Sequence, residues 1–311
     1  MKKAMIKPVR LQSGDAIAAF APASLFEKKK AKEGKLYLKK NHKIEVLETK
    51  KPFLKNHFIA RTDAERISEF NNWVKNKSIK GMIAYRGGYG TSRIIQKLDI
   101  KALKNNPKLV IGYSDLTILL NELVKNGLCC VHGPMLSGDF FRRSHTELEQ
   151  RSFQSCFFTG IPIGKVGKKE GLKCFVPGTA KGILTGGNLC TLASSIGTPY
   201  EFDSKGKILF LEDVGEKPYR IDRLLVQLKD AGKFDKCKGI IFGDFTDCDQ
   251  AQRPKIKSVI QEALSGINIP VIWGFPSGHG KRQCFLPFGT KVKIDSNPLL
   301  PVVDFLESCV S

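Results

Sequence analysis

The fold is decided by IKGMIAYRGGYG, residues 79–90, and PKLVIGYSDLTILLNELVKNG, residues 107–127. Each stretch starts as a short apolar run without alternation, turns at glycine, and passes into a helical pattern, over 91–98 in the first case and 116–127 in the second. Short continuous apolar runs of this kind read as strands buried on both faces. Strands that alternate with helices imply a parallel sheet with helices on both sides. Working outward, GDAIAAFAP (14–22) adds a buried strand that ends at a proline, and IEVL (44–47) adds another. Residues 62–77 read as a helix opened by a capping box of Thr62 and Glu65, with Ile67, Phe70 and Val74 at helical spacing. Sites in such sheets form beyond the carboxyl ends of the strands. RGGYG (86–90) and GYSD (112–115) both fall there.

Residues 138–175 change character, with RRSHTELEQR and GKVGKKEGLK polar and weakly periodic. A crossover linker is expected over 146–179, between an α/β domain at 1–145 and a domain at 180–311. In that second part, AKGILTGGNLCTLASSIGTPYEF (180–202), GKILFLED (206–213), CKGIIFGDF (237–245), IPVIWGFPSGHG (269–280) and TKVKID (290–295) read as β-rich runs alternating with turns, and YRIDRLLVQLKDAG (219–232) as a helix. The expectation is a smaller, β-rich α+β domain.

The chain has 311 residues, of which 41% are hydrophobic, with 20 Phe, 6 Tyr and 2 Trp. That apolar content excludes a disordered chain. The apolar stretch near the N-terminus, Ala16 to Ala21, is far short of the roughly 18–20 residues of a membrane span. It follows Asp15 and reads as a strand rather than a signal peptide, so a cytoplasmic protein without membrane partners is expected. The nine cysteines are odd in number and form no C-x-x-C pair, which favours reduced core thiols over a metal site or a disulfide framework. Neither phosphate-binding glycine motif occurs, and no cofactor is expected. The net charge of +21 raises nucleic acid as a partner class. The densest basic run, 28–43, holds eight lysines, one acid and one aromatic residue. A surface that stacks bases wants arginine and aromatics, so a solvated lysine face is the preferred reading, with no nucleic acid bound. A basic surface also attracts small acidic substrates.

Ser114 sits at a bend between a buried strand and an apolar helix. Such a bend thrusts a side chain out of the sheet, beside the free N–H groups of the helix start, as in a nucleophile elbow. A helix N-cap is the alternative, since Ser before Asp is common there. The two glycines of RGGYG let backbone N–H groups approach a ligand, and Arg86 is suited to a carboxylate; a plain tight turn is the alternative. Among five histidines, His279, flanked by glycines in FPSGHG, is the leading base candidate. His132 reads as a core or turn histidine, and His42, His57 and His145 as exposed. The acids Glu212, Asp213, Glu216 and Asp222 remain open as partners for a base.

The assembled blocks resemble the LD-carboxypeptidase family. LQSGDAIAAFAPAS, FIARTDAERISEF, GMIAYRGGYGTSRIIQKLD, KLVIGYSDLTILL, VHGPM, GILTGGNLCTLASSIGTPYEF, ILFLEDVGEKPYRIDRLLVQL, GIIFGDF and IPVIWGFPSGHG run in order along nearly the whole chain. The resemblance implies a flavodoxin-like or amidotransferase-like N-terminal parallel-sheet domain and a smaller, β-rich, swivelling C-terminal domain. It also implies a metal-independent Ser-His-Glu triad of Ser114, His279 and Glu212. The oxyanion hole would comprise the Asp115 N–H and one from Gly87 or Gly88, with Arg86 binding substrate. The implied substrate is murein tetrapeptide, cut at its L,D bond to release D-Ala during peptidoglycan recycling, and the implied assembly is a homodimer. Some relatives instead cleave acyl-peptide nucleotides for self-immunity; a basic nucleic-acid-binding module and a catalytically dead scaffold are the readings outside this chemistry. The lysine-rich segment around 25–57 departs from the family's pattern.

Overall fold

A computed structural model describes residues 4–50, 55–249 and 255–311. The apolar runs form β1 (Ala16–Phe20) and β2 (Glu45–Leu47), a short ribbon of β3 (Lys55–Asn56) and β4 (Ile59–Ala60), then β5 (Ile79–Ala84), β6 (Leu109–Gly112) and β7 (Cys130–His132). β2, β1, β5, β6 and β7 lie side by side and all run parallel. The connections carry α1 (Lys28–His42), α2 (Asp63–Lys75), α3 (Thr91–Ile94), α4 (Ile100–Asn105) and α5 (Thr117–Lys125). The capping box of Thr62 and Glu65 opens α2. In α1 only Ala31, Gly34 and Leu38 are buried, while Lys28, Lys29, Lys32, Lys39 and Lys40 are exposed.

The second half contributes α6 (Glu147–Gln154), β8 (Gly164–Val166), β9 (Lys173–Val176), β10 (Gly178–Asn188), α7 (Leu189–Ser194), β11 (Lys207–Val214), α8 (Pro218–Asp230), β12 (Gly239–Thr246), α9 (Ile256–Ala263), β13 (Val271–Trp273), β14 (Leu286–Phe288), β15 (Lys291–Ser296) and β16 (Val302–Phe305). The second sheet has eight strands in the order β8-β16-β15-β10-β11-β12-β13-β9. Its centre, β10 to β13, is parallel, with antiparallel strands at both sides. Helices separate each of these central strands, so this half repeats the alternation of the first rather than segregating its strands. With eight strands against six it carries the larger sheet. One strand returns: β14 pairs antiparallel with β7, Leu286 opposite His132, and so completes the first sheet.

The segment 146–179, expected as the crossover, carries regular structure. Thr146 and Glu149 form a second capping box, α6 follows, and a π-turn over Ser155–Thr159 leads to β8 and β9. The π-turn explains the weak periodicity, because a wider turn breaks the 3.6-residue repeat. Phe153, Cys156 and Phe157 are nonetheless fully buried. The apolar cluster around Ile17, Ile83, Ile111 and Val131 continues through Phe140, Phe153, Phe157 and Phe285 to Leu184, Phe210 and Ile241 of the second sheet. Each such side chain contributes about 1.5–3 kcal/mol on burial, and the two lobes share this core. His42 and His145, expected to be exposed, are packed on rings: His42 on Phe158 and His145 on Phe140, at centroid distances of 4.9 and 3.9 Å. No helix among the described residues is long and apolar enough to cross a membrane.

Candidate active site

Strand β6 ends at Gly112, and the chain turns sharply through Tyr113 into a single 3-10 turn, Ser114–Leu116, that leads into α5. Ser114 has φ of +62°. A left-handed conformation costs a non-glycine residue roughly 1–2 kcal/mol; here it occurs at a strand–helix elbow beyond the carboxyl edge of the sheet, where strain marks functional positions. The residue flanking this 3-10 turn is Tyr113, and no side chain caps the turn, so Ser114 does not fill the N-cap role. Asp115 is buried; its carboxylate accepts the Thr91 N–H at 2.8 Å and thereby ties the elbow to the end of the RGGYG loop. Burial raises the Asp115 pKa against the hydrogen bonds from Thr91 and Gly90.

The RGGYG loop lies directly against the elbow. A Cβ placed on Gly87 would sit 2.9 Å from the Ser114 Cβ, 3.1 Å from its Oγ and 3.2 Å from the Asp115 nitrogen. Only glycine permits that approach. The Gly87 carbonyl accepts the Ser24 N–H at 3.2 Å, while Gly88 abuts the Ser24 side chain. Arg86 is exposed; one of its N–H groups donates to the Leu25 carbonyl at 3.1 Å.

From the second sheet, Glu212 near the end of β11 is fully buried, and its Oε2 lies 2.7 Å from His279 Nδ1. With the Glu212 oxygen accepting, Nδ1 carries the hydrogen, and in the neutral ring Nε2 keeps its lone pair. The loop bearing His279 passes so close to Glu212 that a Cβ on Gly278 would come within 2.9 Å of Oε2. Burial alone would lower the His279 pKa; the charge and hydrogen bond of Glu212, with Asp213 and Asp244 behind it, outweigh burial and raise it. Burial, reinforced by the Glu212 charge, pushes Asp213 up to about 6.

Tyr113 joins the two halves: its ring lies 4.7 Å, centroid to centroid, from that of His279, and it immediately precedes Ser114. Tyr85, Arg86, Tyr113, Ser137, His279 and Gln283 are among the residues lining a cleft of about 290 Å³ here. Beneath it, His132 is fully buried, stacked on Phe288 and set edge-on to Phe210. Burial lowers its pKa to about 4, so it is a neutral core histidine.

Glu212 and His279 are thus in direct contact; Ser114, Asp115 and Gly87 form a second group, and Tyr113 bridges the two. Gly88 turns toward Ser24 instead, and Arg86 stands at the cleft wall. Glu149, which lies in the segment expected as the linker, is not among the residues singled out from the sequence. Its carboxylate accepts the Gln283 N–H at 2.6 Å and so anchors the chain leaving the His279 loop. The capping-box pattern T-x-x-E at 146–149 was the available signal.

The chain is similar to known proteins over most of its length. The profile of the LD-carboxypeptidase N-terminal domain matches residues 17–133, and that of the C-terminal domain matches residues 181–294. A probable murein peptide carboxypeptidase of Bacillus subtilis (strain 168) is 33% identical over 302 residues, covering 96% of this chain and 94% of that protein. The Microcin C7 self-immunity protein MccF of Escherichia coli is 31% identical over 317 residues, covering 92% of each. The solved muramoyltetrapeptide carboxypeptidase from Oxalobacter formigenes superposes with a TM-score of 0.82 at 29% identity, over 93% of this chain and 98% of that one.

Proposed function

The chain belongs to the LD-carboxypeptidase family, and we propose that it is a serine carboxypeptidase that cuts the L,D bond of murein tetrapeptide and releases D-Ala during peptidoglycan recycling. The observation that carries the chemistry is the Glu212–His279 hydrogen bond of 2.7 Å, set beside the strained Ser114 elbow. Nε2 of His279 takes the proton from Ser114 Oγ as that oxygen attacks the scissile carbonyl. Glu212 holds the ring in the required tautomer and stabilises the imidazolium. The imidazolium then protonates the departing D-Ala nitrogen, and water attacks the acyl-enzyme by the same route in reverse. The tetrahedral oxyanion is received by the Asp115 N–H and by the Gly87 N–H. The approach of the Gly87 backbone to the elbow, so close that a Cβ there would meet Ser114 and the Asp115 nitrogen, favours it over Gly88. Each donor is worth roughly 100–1,000-fold in turnover.

Arg86 faces the peptide's carboxylates from the cleft wall, and the +21 charge aids encounter with an anionic peptide. A cytoplasmic homodimer completes the proposal, to be checked by light scattering and fractionation. The function is tested by mass spectrometry of murein tetrapeptide before and after incubation. The native enzyme yields tripeptide and D-Ala in the presence or absence of a chelator, and Ser114→Ala yields neither while keeping its fold. D-Ala release by the alanine variant would refute the nucleophile. Cleavage of an acyl-peptide nucleotide with tetrapeptide left intact would refute the substrate.

A further inference from the structure

Strand β12 is one residue out of step with β11 next to the site. Leu211 pairs with Phe242, but Asp213 pairs with Phe245, so β12 spends Gly243 and Asp244 opposite Glu212 alone. Such a bulge re-aims side chains and is favoured near active sites. Here it turns Asp244 toward the loop that carries His279. The Asp244 N–H donates to the Ser277 carbonyl at 3.0 Å. Its carboxylate accepts the Gly280 N–H and occupies the space where a Cβ on residue 280 would stand. Below this point the loop is closed by the Cys284 N–H on the Pro276 carbonyl, at 3.0 Å, and by Ser277 Oγ on the Cys284 carbonyl, at 2.8 Å.

We infer that Asp244 is a positioning residue for His279: its backbone and carboxylate grip the loop on both sides of the imidazole, and its charge stands behind the ring. The inference rests on the reading of His279 as the base. Glu212 fixes the ring through Nδ1, but a single hydrogen bond leaves the ring free to swing about that contact. Holding residues 277 and 280 removes the swing and points Nε2 toward the elbow. The charged or titratable groups that act on Asp244 are Arg282, Glu212, His279 and Cys284. Those acting on His279 are Glu212, Asp213, Asp244 and His132. Burial, with Arg282 opposing and Glu212 adding, brings Asp244 up to about 6.

The test uses the full chain with Asp244→Asn and Asp244→Ala. NMR titration of the His279 ring should place its midpoint about half a unit lower in D244N, because a nearby negative charge that favours the imidazolium is gone. D244A should in addition lose about tenfold in kcat for D-Ala release, from misplacement of the base, with KM within twofold. A residue that serves stability alone moves the melting temperature but neither the His279 midpoint nor the split between kcat and KM. An unmoved midpoint in D244N, or a kcat for folded D244A within twofold of the native enzyme, overturns the inference. If D244A does not fold, the D244N titration decides. That titration needs no substrate, so it stands even if the native enzyme releases no D-Ala, a result that would defeat the proposed function instead.

Discussion

Replacing Glu212 by glutamine removes one charge and almost no volume from a fully buried position. In the native protein the Glu212 carboxylate faces the imidazolium that forms during attack, with the nearest atoms 2.7 Å apart. With the two charges centred ~4 Å apart and an effective dielectric constant of ~20, their attraction is about 4 kcal/mol. At 1.36 kcal/mol per decade that is about three decades of rate. The amide has no orientation that recovers the loss. If its NH₂ faces Nδ1, the ring must take the opposite tautomer and Nε2 can no longer accept a proton. If its oxygen faces Nδ1, the NH₂ moves to the place of Oε1, which is buried and has no hydrogen-bond partner among the described residues. An unpartnered buried donor costs about 1–3 kcal/mol.

The expected result for E212Q is a kcat/KM for D-Ala release lower by about 1,000-fold or more, measured by mass spectrometry or an oxidase-coupled assay. The acid limb of the residual activity should move to lower pH, since Glu212 no longer raises the His279 pKa. The stability difference follows the same sign. A histidine whose folded pKa is raised contributes stability that is fully present below its unfolded value and is lost as pH rises through the folded value. E212Q should therefore lose most relative to the native protein below pH 6.5, with the gap narrowing above it. A kcat/KM within tenfold of native, with the acid limb unmoved, would refute the Glu212–His279 pair as the source of the base.

Gly87→Ala places a methyl carbon 2.9 Å from the Ser114 Cβ and 3.2 Å from the Asp115 nitrogen. The expected outcome is a fall of about 100-fold in kcat, from displacement of the nucleophile and one oxyanion donor, with overpacking costing about 1–3 kcal/mol in a urea melt; an unaltered kcat would remove Gly87 from the site. His132→Phe replaces a neutral core imidazole whose pKa is depressed to about 4 by burial. As pH falls below 6.5 the unfolded chain takes up this proton first, so His132 costs the native protein about 2 kcal/mol by pH 5. The variant should lose less stability than the native protein between pH 8 and pH 5 by that amount, and parallel pH–stability curves would show that His132 is not the acid-sensitive group.

Local sequence determined four strands of the first sheet (β1, β2, β5 and β6), the capped helix at Thr62, and the position of Ser114 and the RGGYG loop beyond strand ends, because each depends on periodicity and turn chemistry within about ten residues. It also singled out His279 by its glycine neighbours. It did not choose Glu212 among four nearby acids: that choice came from the family resemblance, and its physical basis is a contact spanning 67 residues of chain. The regular structure within 146–179 was hidden because its short helix passes directly into a π-helical turn that breaks the 3.6-residue repeat, and the return of β14 because three residues carry no periodicity. The bulge that turns Asp244 toward the His279 loop is a matter of register between β11 and β12, which neither strand specifies alone. Chain-local patterning fixes which elements form and which residues stand at their ends; only the packing of two sheets through one shared core decides which of those ends meet, since that depends on contacts between segments with no neighbouring sequence in common.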